Sequence, residues 1–217
     1  MSLNWLLPNP HRHAGTGLWF CSCAGLPVVA GDGGGAAAPK RAPVVIRGQR
    51  ARTVDVHAHC YFQAALDLMG ADAKAVLPPV KGVPEHFLQV DHQMATRLDA
   101  MERMGIDLQV LSINPYWYKQ DRDTAEAICR IHNDSLAAIC ALHPKRFAAF
   151  ASLAMQFPDL AVQQLEHAVR QLGLKGAAIG GSVAGDDFAN PKYHPVLAKA
   201  QELGVMLFIH PQSTPEL

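Results

Sequence analysis

Two histidines, His57 and His59, stand two residues apart at the end of a short apolar stretch, Thr53-Val54-Asp55-Val56-His57-Ala58-His59. Side chains two apart in a strand leave the same face, so two imidazoles there can grip one metal ion. A third candidate closes a distant apolar run, Val205-Met206-Leu207-Phe208-Ile209-His210-Pro211. Three protein ligands with an open position for water is the usual arrangement of catalytic zinc. A cation so held lowers the pKa of its bound water and polarises a substrate oxygen. The bland alternative for His57 and His59 is a pair of polar strand ends bonded to loop backbone. For His210 it is a capping or loop histidine.

The elements between these histidines must bring them together. A long, Pro-containing excursion covers residues 61–89, with a short helix over 64–69. A helix follows over 91–104, with Met94, Leu98 and Met101 on one face and Gly105 as its stop. Residues 106–111 alternate as a strand and lead into the aromatic loop Asn114-Pro115-Tyr116-Trp117-Tyr118. Asp123-Thr124-Ala125-Glu126 reads as a capping box opening a helix that ends before Pro144. Strands are expected over 147–153, 176–180 and 205–209, and helices from Pro158 to Gly173 and over 193–203. Apolar strands alternating with helices imply a parallel sheet, open and doubly wound or closed as a barrel. The first βα loop lacks Gly-x-Gly-x-x-Gly, and the histidines end strands, where barrel sites assemble. The expected fold class is therefore α/β: a partial TIM (β/α)8 barrel with about five of eight strands present.

With 217 residues, 49% of them hydrophobic, the chain can bury one sizeable core. Nineteen basic residues balance nineteen acidic ones, which argues against a nucleic-acid or membrane-surface partner. The five cysteines give no disulfide framework. Cys129 and Cys140 share one expected helix roughly 16 Å apart, too far to bridge. Cys21-Ser22-Cys23 is too tightly spaced for a metal knuckle. Packing thiols of this kind suit a reducing, cytoplasmic compartment. Residues 1–50 read as a low-complexity extension and 51–217 as the enzyme domain. Within the extension, an apolar run over 18–30 is too short to span a bilayer. Followed by Ala36-Ala37-Ala38, it resembles an export signal, the alternatives being a disordered extension or an upstream start codon.

Residues 53–212 resemble the amidohydrolase superfamily, in the branch typified by aminocarboxymuconate-semialdehyde decarboxylase. The likeness is carried by VDVHAH, RLDAMERMGID, IHNDSLA, PKRFAAFASLAMQFPDLAVQQLEHAVRQLGLKGAAIG and LFIHPQ. It implies metal ligation by His57, His59 and His210, normally of Zn2+, with another divalent metal as the alternative. The acid/base histidine of strand six and the aspartate of strand eight are expected beyond residue 217, in a C-terminally truncated member. No catalytic acid or base is therefore assigned. The implied reaction is decarboxylation of an aromatic or unsaturated carboxylic acid, with protonation of the carbon bearing the carboxylate. A hydrolase of esters, lactones or amides on the same scaffold is the alternative, and an inactive truncated fragment a further one. Expected partners are a small-molecule substrate and, for a full-length protein, other copies of itself. Tyr116 and Trp117 either stack on substrate or form a lid on the rim. Asp55 is placed on the histidines' side, one step deeper, where a hydrogen bond supporting the ligands is expected, and Cys60 on the other side. Arg97, Asn133 and Asp134 are read as structural.

Overall fold

The computed structural model describes residues 40–70 and 90–210, with side chains of the second span described from Met94 onward. The apolar run, the small-residue stretch before Lys40, residues 71–89 of the excursion and residues beyond His210 lie outside the described residues.

Residues 40–50, read from the sequence as part of the extension, carry a hairpin, β1 (Val45–Ile46) and β2 (Gln49–Arg50). Its two turn residues both have positive φ, 52° at Arg47 and 78° at Gly48, the mirror-image turn that matches strand twist. The hairpin is tied down by an ion pair from Arg50 to Asp107, and the Arg41 N–H donates to the Arg103 carbonyl.

The remaining order alternates as expected: β3 (Val54–His59), α1 (Gln63–Asp67), α2 (Val90–Met104), β4 (Leu108–Ser112), α3 (Arg122–Leu142), β5 (Phe147–Ala149), β6 (Ala151–Ser152), α4 (Pro158–Arg170), β7 (Gly176–Gly180), α5 (His194–Leu203) and β8 (Met206–His210). A 3-10 turn, Pro191–Tyr193, leads into α5, so the expected helix start splits in two. The expected third strand also divides, because its pairing partner changes at Phe150. β5 runs parallel to β4, and β6 runs parallel to β7. The Phe150 N–H reaches back to the Leu111 carbonyl at 2.9 Å, while Lys175 donates forward to Ala149 at 2.9 Å.

Spatial order therefore follows chain order, β3–β4–β5/β6–β7–β8, with every pairing parallel. A doubly wound sheet reverses its strand order at a switch point. No reversal occurs among these strands, so they are five consecutive strand positions of a (β/α)8 barrel.

Two apolar clusters follow from strand alternation. Leu111, Ala149, Ala151, Ala177 and Ile179 face the helices and pack with Ile128, Leu136, Leu165 and Ala168. Their neighbours Val110, Phe150 and Ala178 face the interior with Leu108, Ala148 and Phe208. There Phe150 and Phe208 stack, with ring centroids 5.7 Å apart and planes 13° from parallel.

The cap of α3 differs from expectation. Asp121, in extended backbone, accepts the Thr124 N–H at 3.0 Å, and Asp123 lies inside the first turn. A cap must sit where its carboxylate reaches the third amide of the helix, and only Asp121 does so. No described helix is long and apolar enough to cross a membrane.

Candidate metal centre

The site begins with an irregularity in β3. Asp55 pairs with Gln109, Ala58 with Leu111 and His59 with Ser112, so three residues of β3 advance against two of β4. Such a bulge reverses the alternation of side chains across it. Strand parity alone puts Asp55 on the histidines' side; the bulge instead leaves it beside Gln109, on the helix-facing side of the sheet. There its Oδ2 accepts from Gln109 Nε2 at 3.0 Å, and its Oδ1 accepts the His57 N–H at 3.1 Å. His57 and His59 emerge on the inner side.

His210 ends β8, the last strand in the described order, whereas His57 and His59 belong to the first. The sheet curls enough to bring all three rings together. His210 Nε2 lies 3.1 Å from His57 Nε2 and 3.1 Å from His59 Nε2. Ring centroids are 4.6, 5.1 and 4.8 Å apart, all edge-on. The inner Phe208 ring sits 5.7 Å from His57 and closes one side of the group.

The protonation state suits coordination. Burial, then the neighbouring His210 and His57, push His59 down to about 3. Burial, then His57, push His210 down to about 4. Both rings are therefore neutral near pH 7, the protonation state that metal coordination requires. His59 Nδ1 lies 3.2 Å from Ser112 Oγ. A proton held there and donated to Ser112 leaves Nε2 as the ligating atom.

The separations of His210 Nε2 from the other two ring nitrogens fit as well. Metal–nitrogen bonds of about 2.0–2.1 Å separate two ligand nitrogens by about 3.3 Å in a tetrahedron and about 3.0 Å at a right angle. The three ligand atoms all lie within 4.8 Å of one another, and among the described residues no carboxylate or thiol joins them. The group could hold one divalent metal ion. Cys60, adjacent in sequence, is buried, and burial pushes its thiol up to about 12.

Tyr116 and Trp117 do not present a stacking platform. Trp117 is fully enclosed, and its Nε1–H donates to the Leu153 carbonyl at 2.9 Å. Its ring meets those of Tyr116, Tyr118 and His132 edge-on, 5.3, 5.9 and 5.1 Å away. Gln156 donates to the Trp117 carbonyl at 2.8 Å, and the Gly180 N–H donates to Tyr118 Oη at 3.2 Å. The loop is a packed strap across the ends of β6 and β7, closer to the lid reading than to a substrate wall.

His132 and Asn133 have a structural use that mid-helix polar residues only hint at. Asn133 grips Ser152 like a neighbouring strand, donating to its carbonyl at 3.0 Å and accepting its N–H at 2.7 Å. Asp134 is exposed. His132 bridges Ser152 Oγ at 3.1 Å and Tyr116 Oη at 2.9 Å while fully buried. Burial pushes it down to about 3 from an ordinary value of 6.5. Between those values the unfolded chain carries a proton on His132 that the folded chain refuses. Stability present above pH 6.5 is thus lost as pH falls, at about 1.4 kcal/mol per pH unit for one group. Urea unfolding measured from pH 7 to pH 4 should show a shallower pH slope in His132→Asn, by close to one proton. An unchanged slope contradicts this assignment.

Comparison with known proteins agrees with this architecture. The family model described as amidohydrolase matches residues 54–216. Gamma-resorcylate decarboxylase of Rhizobium radiobacter is 36% identical over 141 residues, covering 59% of this chain and 43% of that protein. The 2-amino-3-carboxymuconate-6-semialdehyde decarboxylase of Dictyostelium discoideum is 36% identical over 120 residues, 53% of this chain and 33% of that protein. Among solved structures, a dihydroxybenzoic acid decarboxylase from a Polaromonas species, with bound manganese and the inhibitor 2-nitroresorcinol, has a TM-score of 0.57 at 26% identity. The match covers 76% of this chain and 51% of that one. The chain thus spans less than half the length of these curated relatives. A family match over most of the sequence, on consecutive barrel strands carrying three convergent imidazoles, makes this chain a member of the amidohydrolase family.

Proposed function

We propose that the protein is a metal-dependent decarboxylase of an aromatic or unsaturated carboxylic acid, with His57, His59 and His210 as its metal ligands. The observation that carries this reading is the approach of His210 Nε2 to within 3.1 Å of both other ring nitrogens. The substrate class follows the relatives, which are named for gamma-resorcylate and aminocarboxymuconate semialdehyde. Three imidazoles favour zinc among common divalent ions; manganese, present in the Polaromonas structure, is the alternative. When bound, the cation supplies positive charge against a substrate oxygen.

The chain's own residues prepare the site. Burial keeps His59 and His210 unprotonated, and Ser112 orients the His59 ring. Phe208 lies beside His57 on the inner side and stacks on Phe150. The unpaired thiols Cys60, Cys129 and Cys140 support a reducing, cytoplasmic location.

The test compares carbon dioxide release from gamma-resorcylate and related carboxylated aromatics with cleavage of esters and lactones, using zinc- or manganese-loaded protein. Release of carbon dioxide that stops on chelation is the expected result. Activity confined to esters and lactones contradicts the decarboxylase reading.

A further inference from the structure

The helix-facing side of the histidine strand carries a connected set of hydrogen bonds. The His57 N–H, at the bulge, donates to Asp55 Oδ1 at 3.1 Å. Asp55 Oδ2 accepts from Gln109 Nε2 at 3.0 Å. Gln109 Oε1 accepts from Arg97 Nε at 2.8 Å, and Arg97 Nη1 donates to the His59 carbonyl at 3.0 Å. The set starts on the main chain of one candidate ligand and ends on the main chain of the other.

We propose that Asp55, Gln109 and Arg97 are positioning residues that fix the His57–His59 segment so that its two rings converge on His210. This rests on the metal-centre reading above. Three physical points support it. A bulge disrupts the ladder, and Asp55 supplies an acceptor for the His57 N–H there. Arg97 and Gln109 are only 4% and 6% exposed, so their polar atoms hold their partners without competition from water. Gln109 is the neutral link between a cation and an anion, and the order fixes its amide orientation. Its oxygen must face Arg97 and its nitrogen Asp55, because neither charged partner accepts the reverse.

That order makes a reciprocal exchange the decisive test. In Gln109→Glu, a carboxylate faces Asp55 and the donor to Asp55 is gone. In the pair Asp55→Asn with Gln109→Glu, the new amide at position 55 accepts the His57 N–H through its oxygen and donates through its nitrogen to the new carboxylate. That carboxylate, at position 109, still accepts from Arg97. Every bond is restored with the same total charge.

The measurement is titration of the 217-residue chain with cobalt(II), read by its visible ligand-field bands, which report coordination number and geometry. The single variant Gln109→Glu should bind cobalt about tenfold or more weakly than wild type, in the range known for residues behind metal ligands. Its band should also change shape. The double variant should return to within about threefold of wild type with the wild-type band. Arg97→Lys, which keeps the charge but replaces a two-point fork by one ammonium, should weaken binding and alter the band while leaving the fold intact by circular dichroism. Wild-type affinity and spectrum in both Gln109→Glu and Arg97→Lys would overturn the relay, as would a double variant no better than the single one. Failure of wild type to bind cobalt, zinc or manganese would instead overturn the metal-centre reading itself.

Discussion

Alanine at His59 should abolish stoichiometric metal binding. Its Nε2 is one of the two atoms that approach His210 Nε2 to 3.1 Å, and its Nδ1 lies 3.2 Å from Ser112 Oγ. Removing it leaves two imidazoles, too few to enclose a cation against water. Affinity should fall by more than about 100-fold, beyond the usual effect of residues that merely support ligands. A linked effect follows from mass action. Ligand at 100 times its dissociation constant stabilises a folded chain by about 2.7 kcal/mol, and that gain should vanish in the variant. Metal content after dialysis, together with melts with and without zinc, measures both. One equivalent of metal retained by His59→Ala would refute its assignment.

The second large effect is expected at Gly176, where β7 opens beside β8. Its φ of 136° suits only glycine, and a Cβ built there would lie 2.0 Å from the Met206 carbonyl oxygen. That oxygen is backbone on the paired strand, so it has no flexible end to withdraw. Gly176→Ala must open the β7–β8 pairing at its base, and β8 is the strand that delivers His210. Backbone strain and overpacking together should cost at least about 3 kcal/mol in urea unfolding. Metal affinity should weaken as well, because the displaced strand carries His210, one of the three proposed ligands. A melting curve superimposable on wild type would show that the strands part without penalty.

Much of this site can be read from residue order, and the exceptions have physical causes. His57 and His59 are recognisable because a two-residue period fixes one face, and His210 because an apolar run delivers it to a strand end. The barrel order follows from repeated strand–helix units without a dinucleotide loop. Strand parity misplaces Asp55 because a bulge inserts one residue without changing the apolar pattern, and parity beyond it reverses. The break at Phe150 is equally silent, since its side chain points inward on either pairing. Tyr116 and Trp117 have rings suited to stacking on substrate or on protein. What Trp117 packs against is set by Leu153, Gln156 and His132, all distant in sequence. Asp121 and Asp123 are chemically identical caps, separated only by where the backbone turns helical. Arg97 reads as structural from its helix alone, and its reach to the His59 carbonyl shows how that structure bears on the site.

X-ray absorption of the zinc-loaded chain is the most direct measurement. Three imidazole nitrogens bound to one metal should give a nitrogen or oxygen shell near 2.0–2.1 Å, with outer-shell scattering that fits three rings. A sulfur shell near 2.3 Å, or outer scattering that fits fewer than two rings, would mean that these histidines do not form the metal centre.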